Sequence, residues 1–216
     1  SSQILSRSWN FFDGDSLHIV KNPKYPKKSI GYLPVEYIVK TSYTNCHDTV
    51  FKKIFIRPSE SLASDDYFQN FENGNGGWVK DYEARNNWSF GKPDRTVINT
   101  AASGDSAWFT RYALVNQKVE SSSIISSCFD FSTSERPMIR LKLWKRFDRN
   151  RDGAVLQYKI GDIGTWQAVG TLDDGINWFN SSLIKGRPGG DQIGWTSKAS
   201  AADTKWIESR HKLDDL

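Results

Sequence analysis

An all-β fold is what this sequence predicts, and three features carry the prediction. Its apolar runs are short and rich in Val, Ile, Phe, Tyr and Trp, with nine Trp but a single Met in 216 residues; these side chains suit a pleated, half-buried surface. Apolar and polar residues alternate with period two through several stretches. Gly, Asn, Asp and Ser interrupt the runs at short intervals, and nowhere does helical spacing persist between caps. Many short antiparallel strands with Gly-rich loops point to β-sandwiches rather than to an α/β enzyme.

In chain order, the alternation begins where Val35, Tyr37 and Val39 interleave with Glu36, Ile38 and Lys40, and VFKKIFI (50–56) supplies a second strand. Between them TSYTNCHDT is hairpin material, with Asn45 suited to positive φ. The run SESLASDD (59–66) follows Pro58 with almost no large apolar residue and reads as a linker over 59–65. A first module over 1–58 and a second over 66–216 follow from that boundary.

In the second module strands are expected at 67–71, 107–113, 124–131, 138–144, 154–160 and 165–170. Turn chemistry separates them at ENGNGG (72–77), SGD (103–105), RNRDG (149–153) and RPGGD (187–191). Arg140 and Lys142 alternate with Leu141 and Leu143, so that strand has one wet face and one buried face. No stretch approaches the ~18 consecutive apolar residues of a membrane-spanning helix, and the first residues lack the basic, apolar and small-residue succession of a signal peptide. The formal charge is +4. Its densest basic run, KLWKRFDRNR (142–151), reads as a solvated strand and turn rather than a nucleic-acid site. Cys46 and Cys128 are too few for a disulfide framework or a zinc site.

The first module, through SWNFFDGD (8–15), NPKYPKKSIGY (22–32) and VEYIVKTSYTNCHDTVFKKIFIRP (35–58), resembles the PKD family of immunoglobulin-like sandwiches, whose motifs occur in the same order. Asn10 and Phe12 stand where that family has Asp and Gly. The resemblance implies an N-terminally incomplete sandwich, the family's strands that should precede Trp9 being expected to be missing. The second module carries FENGNGGW (71–78), NWSFGKP (87–93), AASGDSAWFT (101–110), SSCFDFS (126–132), LKLWKRFD (141–148), DGAVLQYK (152–159), GTWQAVG (164–170), NWFN (177–180), GWT (194–196) and a final KWIESRHKLDDL. It resembles the MAM-like jelly rolls, related to cleaved-adhesin modules, of secreted and surface proteins in gliding, type IX-secreting bacteria. That resemblance implies a larger jelly-roll sandwich, its closing strands beyond residue 216, in a protein at the cell surface or outside the cell.

Catalytic chemistry leaves no signature in the sequence. His18, His47 and His211 are the available imidazole bases, and none falls in HExxH or a similar ligand spacing; GxSxG and a phosphate-cradling glycine loop are absent. Cys46, His47 and Asp48 are contiguous, but strand neighbours point to opposite faces and are poorly placed to hydrogen-bond in series. Glu72, Glu83, Asp94 and Asp105 carry no spacing that would put a glycosidase pair on one face.

Calcium suits the oxygen-rich loops better than any other ion. DRNRDG (148–153) copies the opening of a calcium loop, yet Lys159 occupies its twelfth position and a hairpin turn explains it more simply. The resemblance to MAM-like modules implies instead a structural Ca2+ at Glu72, with Asp66 and Asp105 as neighbours. Among the aromatics, Trp108, Trp144 and Trp166 lie in strand candidates and are expected in the core. Trp88 and Trp178 sit beside Asn, Ser and Phe near loops and are the candidates for stacking on a ligand. The expected function is therefore non-catalytic adhesion, through binding of a glycan or surface protein, by accessory modules of a larger parent chain. The rivals are accessory domains of a secreted protease or polysaccharide hydrolase, and a structural part of a secretion or gliding assembly. Neither nucleic acid nor membrane insertion is expected.

Overall fold

The computed structural model describes residues 4–12, 18–25, 30–42, 47–62, 67–81, 86–111, 121–161, 164–198 and 205–214. The strands are β1 (Ile4–Asn10), β2 (Gly31–Thr41), β3 (His47–Ile56), β4 (Ser59–Ser61), β5 (Val79–Lys80), β6 (Trp88–Gly91), β7 (Ala107–Thr110), β8 (Ile124–Ile125), β9 (Cys128–Asp130), β10 (Met138–Leu143), β11 (Gln157–Tyr158), β12 (Gln167–Ala168) and β13 (Ile207–Lys212). Among the described residues there is one 3-10 turn, Pro188–Gly190, and no α-helix, so the protein is all-β. No helix there is long and apolar enough to cross a membrane. The chain divides into two compact units, Ser1–Glu60 with Ser126–Cys128, and Ser61–Ile125 with Phe129–Leu216.

The first unit is built on the antiparallel sheet β1-β2-β3. Period-two alternation sends Leu33 and Val35 inward from β2, where Phe11 joins them and Trp9, Tyr25 and Ile56 pack around the cluster. Trp9 lies opposite Tyr37 in the register, with ring centroids 4.2 Å apart, and Phe11 stacks on Tyr25 at 4.1 Å. Pro34 sits in the central strand without disrupting it. The β1 ladder ends at Asn10 opposite Glu36, so the missing N–H falls where β2 has only β3 beside it. Ser8, Trp9 and Asn10 of the SWNFFDGD motif belong to β1. Phe12 then turns the chain at φ 53, its N–H donating to Asn10 Oδ1 at 3.0 Å; residues 13–17 and the hairpin tip 43–46, which holds Asn45 and Cys46, lie outside the described residues. The expected linker opens as strand β4, and Cys128 N–H donates to Pro58 O at 2.9 Å.

The second unit pairs β10 with β13, β11 with β12, β6 with β7 and β5 with β8. Its core is Val169, Trp178, Phe179, Trp195 and Leu213, with Ile139, Leu141, Leu143 and Tyr158 against it. The predicted strand at 67–71 does not form. Gln69 Oε1 accepts the Phe71 N–H at 2.7 Å and Asn70 Oδ1 accepts the Glu72 N–H at 3.2 Å; these local side-chain bonds compete with a ladder and turn the chain, with Phe71 at φ 68. The predicted strand at 124–131 is two short ones, β8 and β9. Of the predicted strand at 154–160 only Gln157 and Tyr158 pair as strand; Ala154 makes an isolated bridge to Trp195. The 148–153 stretch is a turn. Asp152 N–H returns to Asp148 O at 2.9 Å, the Arg151 guanidinium sits 3.7 Å from the Asp148 carboxylate, and Asn150 accepts the Ser181 hydroxyl at 3.1 Å.

Candidate functional site

The residues expected to hold calcium separate into two engagements. Glu72 reaches across to the SGD loop, where its Oε1 accepts the Asp105 and Ser106 N–H groups at 3.1 and 2.8 Å and its Oε2 accepts the Asp105 N–H at 3.1 Å. Gly104, at φ 59, is what lets the loop wrap so closely: a Cβ there would lie 2.4 Å from Glu72 Cδ. Two successive N–H groups after a left-handed residue make an anion-accepting concavity, and the chain's own carboxylate fills it. The Asp105 carboxylate turns to Lys92 Nζ at 3.2 Å instead. Glu72 and Asp105 thus meet through backbone, not by converging carboxylates; Asp66 lies outside the described residues, among which no group of three or more His, Cys, Asp and Glu gathers.

The two aromatic candidates part company. Trp178 is 2% exposed. Its ring packs on Phe179, Trp195 and His211, and its Nε1 donates to Val169 O at 2.8 Å. Buried this way, the Trp178 ring presents no face to a ligand; Asn177 beside it is left-handed at φ 51. Trp88 is half-buried in β6, with Nε1 donating to Ser122 O at 3.3 Å.

Trp166, expected in the core, is the exposed one, with 46% of its surface open. It flanks an open groove of about 510 Å³ beside the β11–β12 hairpin. The floor follows from the pairing of Gln157 with Ala168 and Tyr158 with Gln167. Tyr158 donates its hydroxyl to Gln167 Oε1 at 3.3 Å, which leaves the Gln167 amide nitrogen as a donor. The opposite wall is the RPGGD turn, which is tightly made. Arg187 is left-handed (φ 50, ψ 61), Gly190 N–H closes on Arg187 O at 2.9 Å, and Arg187 Nε donates to Gly190 O at 3.2 Å. Gln157 Nε2 donates across to Gly189 O at 3.0 Å, and a Cβ on Gly189 would sit 2.6 Å from the Gln157 amide carbon. Lys159 places its ammonium 5.7 Å from the Trp166 ring centroid, within cation–π range. The groove therefore combines an apolar aromatic plate with amide, guanidinium and, at Asp191, carboxylate groups. Such a set is chemically suited to a ligand that is flat and apolar on one side and rich in hydroxyls at its rim.

Of the groove residues, the sequence places Arg187, Gly189, Gly190 and Asp191 in the RPGGD turn and Trp166 in the core, because it lies in the strand candidate at 165–170. The missed signal is the shortness of that strand: β12 is two residues long, too brief to bury both flanks. Catalytic candidates are equally dispersed. His47 and Asp48 are exposed on β3, His18 is packed against Phe11 and Tyr25, and His211 is buried with Nε2 3.1 Å from Asp174 Oδ2. Cys128 is a free, exposed thiol. No family model matches the chain, and neither a curated protein nor a solved structure matches it.

Proposed function

We propose that this chain comprises accessory binding modules of a larger secreted or cell-surface protein, and that its second unit holds a saccharide in the groove beside Trp166. The observation that carries the reading is the exposed indole of Trp166 set among fixed hydrogen-bonding groups. The plate stacks on the apolar face of a sugar ring, while Gln167, Arg187 and Asp191 address its hydroxyls. The groove is open to solvent, which suits a segment of a chain or a terminal sugar bound without chemistry.

The resemblance of the first unit's motifs to the PKD family and of the second unit's to MAM-like jelly rolls of secreted and surface proteins supports the same reading. In this reading the first unit spaces and the second adheres. A glycan array probed with the intact chain and with Trp166→Ala tests it. Signal for one or more neutral saccharides that disappears in Trp166→Ala and persists in Trp88→Ala is the expected result; a wild-type chain that retains no saccharide overturns it.

A further inference from the structure

The β10–β13 ribbon has two unlike faces. Ile139, Leu141 and Leu143 pack toward the core, and Ser209 and His211 are buried on the same side. The other face presents Met138, Arg140 and Lys142 from β10 and Glu208, Arg210 and Lys212 from β13, paired as Met138 with Lys212, Arg140 with Arg210 and Lys142 with Glu208. Four cations thus stand with one carboxylate on this face.

The register makes the crowding sharper. Arg210 N–H donates to Ile176 O at 2.9 Å and Arg210 O accepts the Ile176 N–H at 3.0 Å, both on the strand's far side. Its pairing with Arg140 is therefore a non-hydrogen-bonded one, the closer of the two antiparallel kinds, and by alternation so are the other two pairs on this face. Like charges directly opposite one another at that separation are destabilising. Glu208 relieves part of it, bonding Arg210, lying 2.8 Å from Lys142 Nζ and 3.9 Å from Arg140 Nε. The side chains stay accessible regardless: 67% for Arg140, 53% for Lys142 and 42% for Arg210.

We infer that the β10–β13 face is a second binding surface, separate in kind from the groove, which takes an acidic polysaccharide through its sulfate or carboxylate groups. Arg140 and Arg210 offer planar donor forks that match such groups, and Lys142 and Lys212 add point charges on either side along the ribbon. The rungs repeat at about 7 Å, so successive anionic groups of a polymer meet successive cations. Nucleic acid fits less well. Trp144 and Trp206 continue this face beyond Lys142 and Glu208, but they pack edge to face on each other with ring centroids 6.0 Å apart rather than as a series of plates for successive bases, and a DNA duplex is therefore one arm of the test.

The test titrates the intact chain with heparin as the sulfated probe, polygalacturonate as the carboxylated one, neutral dextran, and a short DNA duplex, at rising NaCl. Expected is binding to one or both acidic polysaccharides, weakening with salt, and no binding to dextran. Replacing Arg140 and Arg210 together by Ala should weaken it about tenfold, whereas Lys21→Ala with Lys24→Ala, the same charge removed from the first unit, changes it less than about twofold. Arg140→Gln alone, which leaves the Arg210–Glu208 contact in place, keeps the test decisive if the double variant does not fold. No binding to either acidic polysaccharide, equal loss in the two double variants, or tighter binding to DNA overturns the inference.

Discussion

Glu72 closes a loop 34 residues downstream by accepting the Ser106 N–H at 2.8 Å, and Gly104 is the residue that makes room for it. Gly104→Ala meets two obstacles at once, a Cβ overlapping the Glu72 carboxylate and a left-handed backbone at φ 59. A loss of about 1–3 kcal/mol in urea unfolding is expected. In Gly104→Ala combined with Glu72→Ala the steric part vanishes, so the two losses should be less than additive.

Thermal melts of the wild-type chain in calcium and in chelator should superimpose, because the Glu72 carboxylate is already met by two loop N–H groups and that of Asp105 by Lys92. A melting temperature that rises in calcium would show that the folded chain binds the ion, and loss of that rise in Glu72→Ala would place it beside Glu72.

Trp178→Ala should destabilise the second unit by about 3–5 kcal/mol, the range for emptying an aromatic site in a core. Trp166→Ala, in contrast, removes a ring that is nearly half exposed, and its denaturation midpoint should stay close to wild type. Measuring both by urea titration separates the two tryptophans. Comparable losses would mean that Trp166 is a packing residue after all.

The Glu208 carboxyl is held down to about 2, against an ordinary value of 4.5, first by its hydrogen bond with Lys142 and then by that with Arg210. A carboxyl depressed on folding stabilises the protein at pH above its unfolded value, and that stabilisation fades as pH falls from about 4.5 through about 2. Glu208→Gln should therefore melt below wild type at neutral pH, and the gap should close toward pH 2. A gap that stays constant with pH would mean that the lost interaction is not one of charge.

Gly189→Ala tests the groove wall without touching Trp166. A methyl there overlaps the Gln157 amide and strains a backbone at φ 64. Saccharide signal should fall while the far-ultraviolet spectrum stays unchanged, and full retention of signal would detach the RPGGD turn from binding.

Period two made the all-β class legible, and it located β2, β3 and β10 well because each is long enough for the pattern to repeat. It failed where side chains outbid the ladder. Gln69 and Asn70 cap backbone N–H groups two residues on and abolish a strand that composition favoured, and β11 and β12 shrink to two residues each between loops. Site residues were harder still, since polar neighbours say little about burial. Trp178 stands between Asn177 and Phe179 yet points inward, while Trp166 stands out because its strand ends at once. The crowding of Arg140 against Arg210 depends on a pairing across 70 residues and on which edge Ile176 takes, neither of which leaves a trace in local composition.

β3 has β2 along one side and, among the described residues, no strand along the other. Its ten residues direct alternate peptide groups away from the sheet, and Val50, Phe51 and Ile54 are exposed on it. Rims of this length and character recruit further strands, and the gatekeepers present are Lys52 and Lys53. Concentrated or tethered copies of the first unit should thus stick rim to rim before they unfold, and a single charge at Phe51 should blunt the tendency while sparing the buried Leu33–Val35 layer.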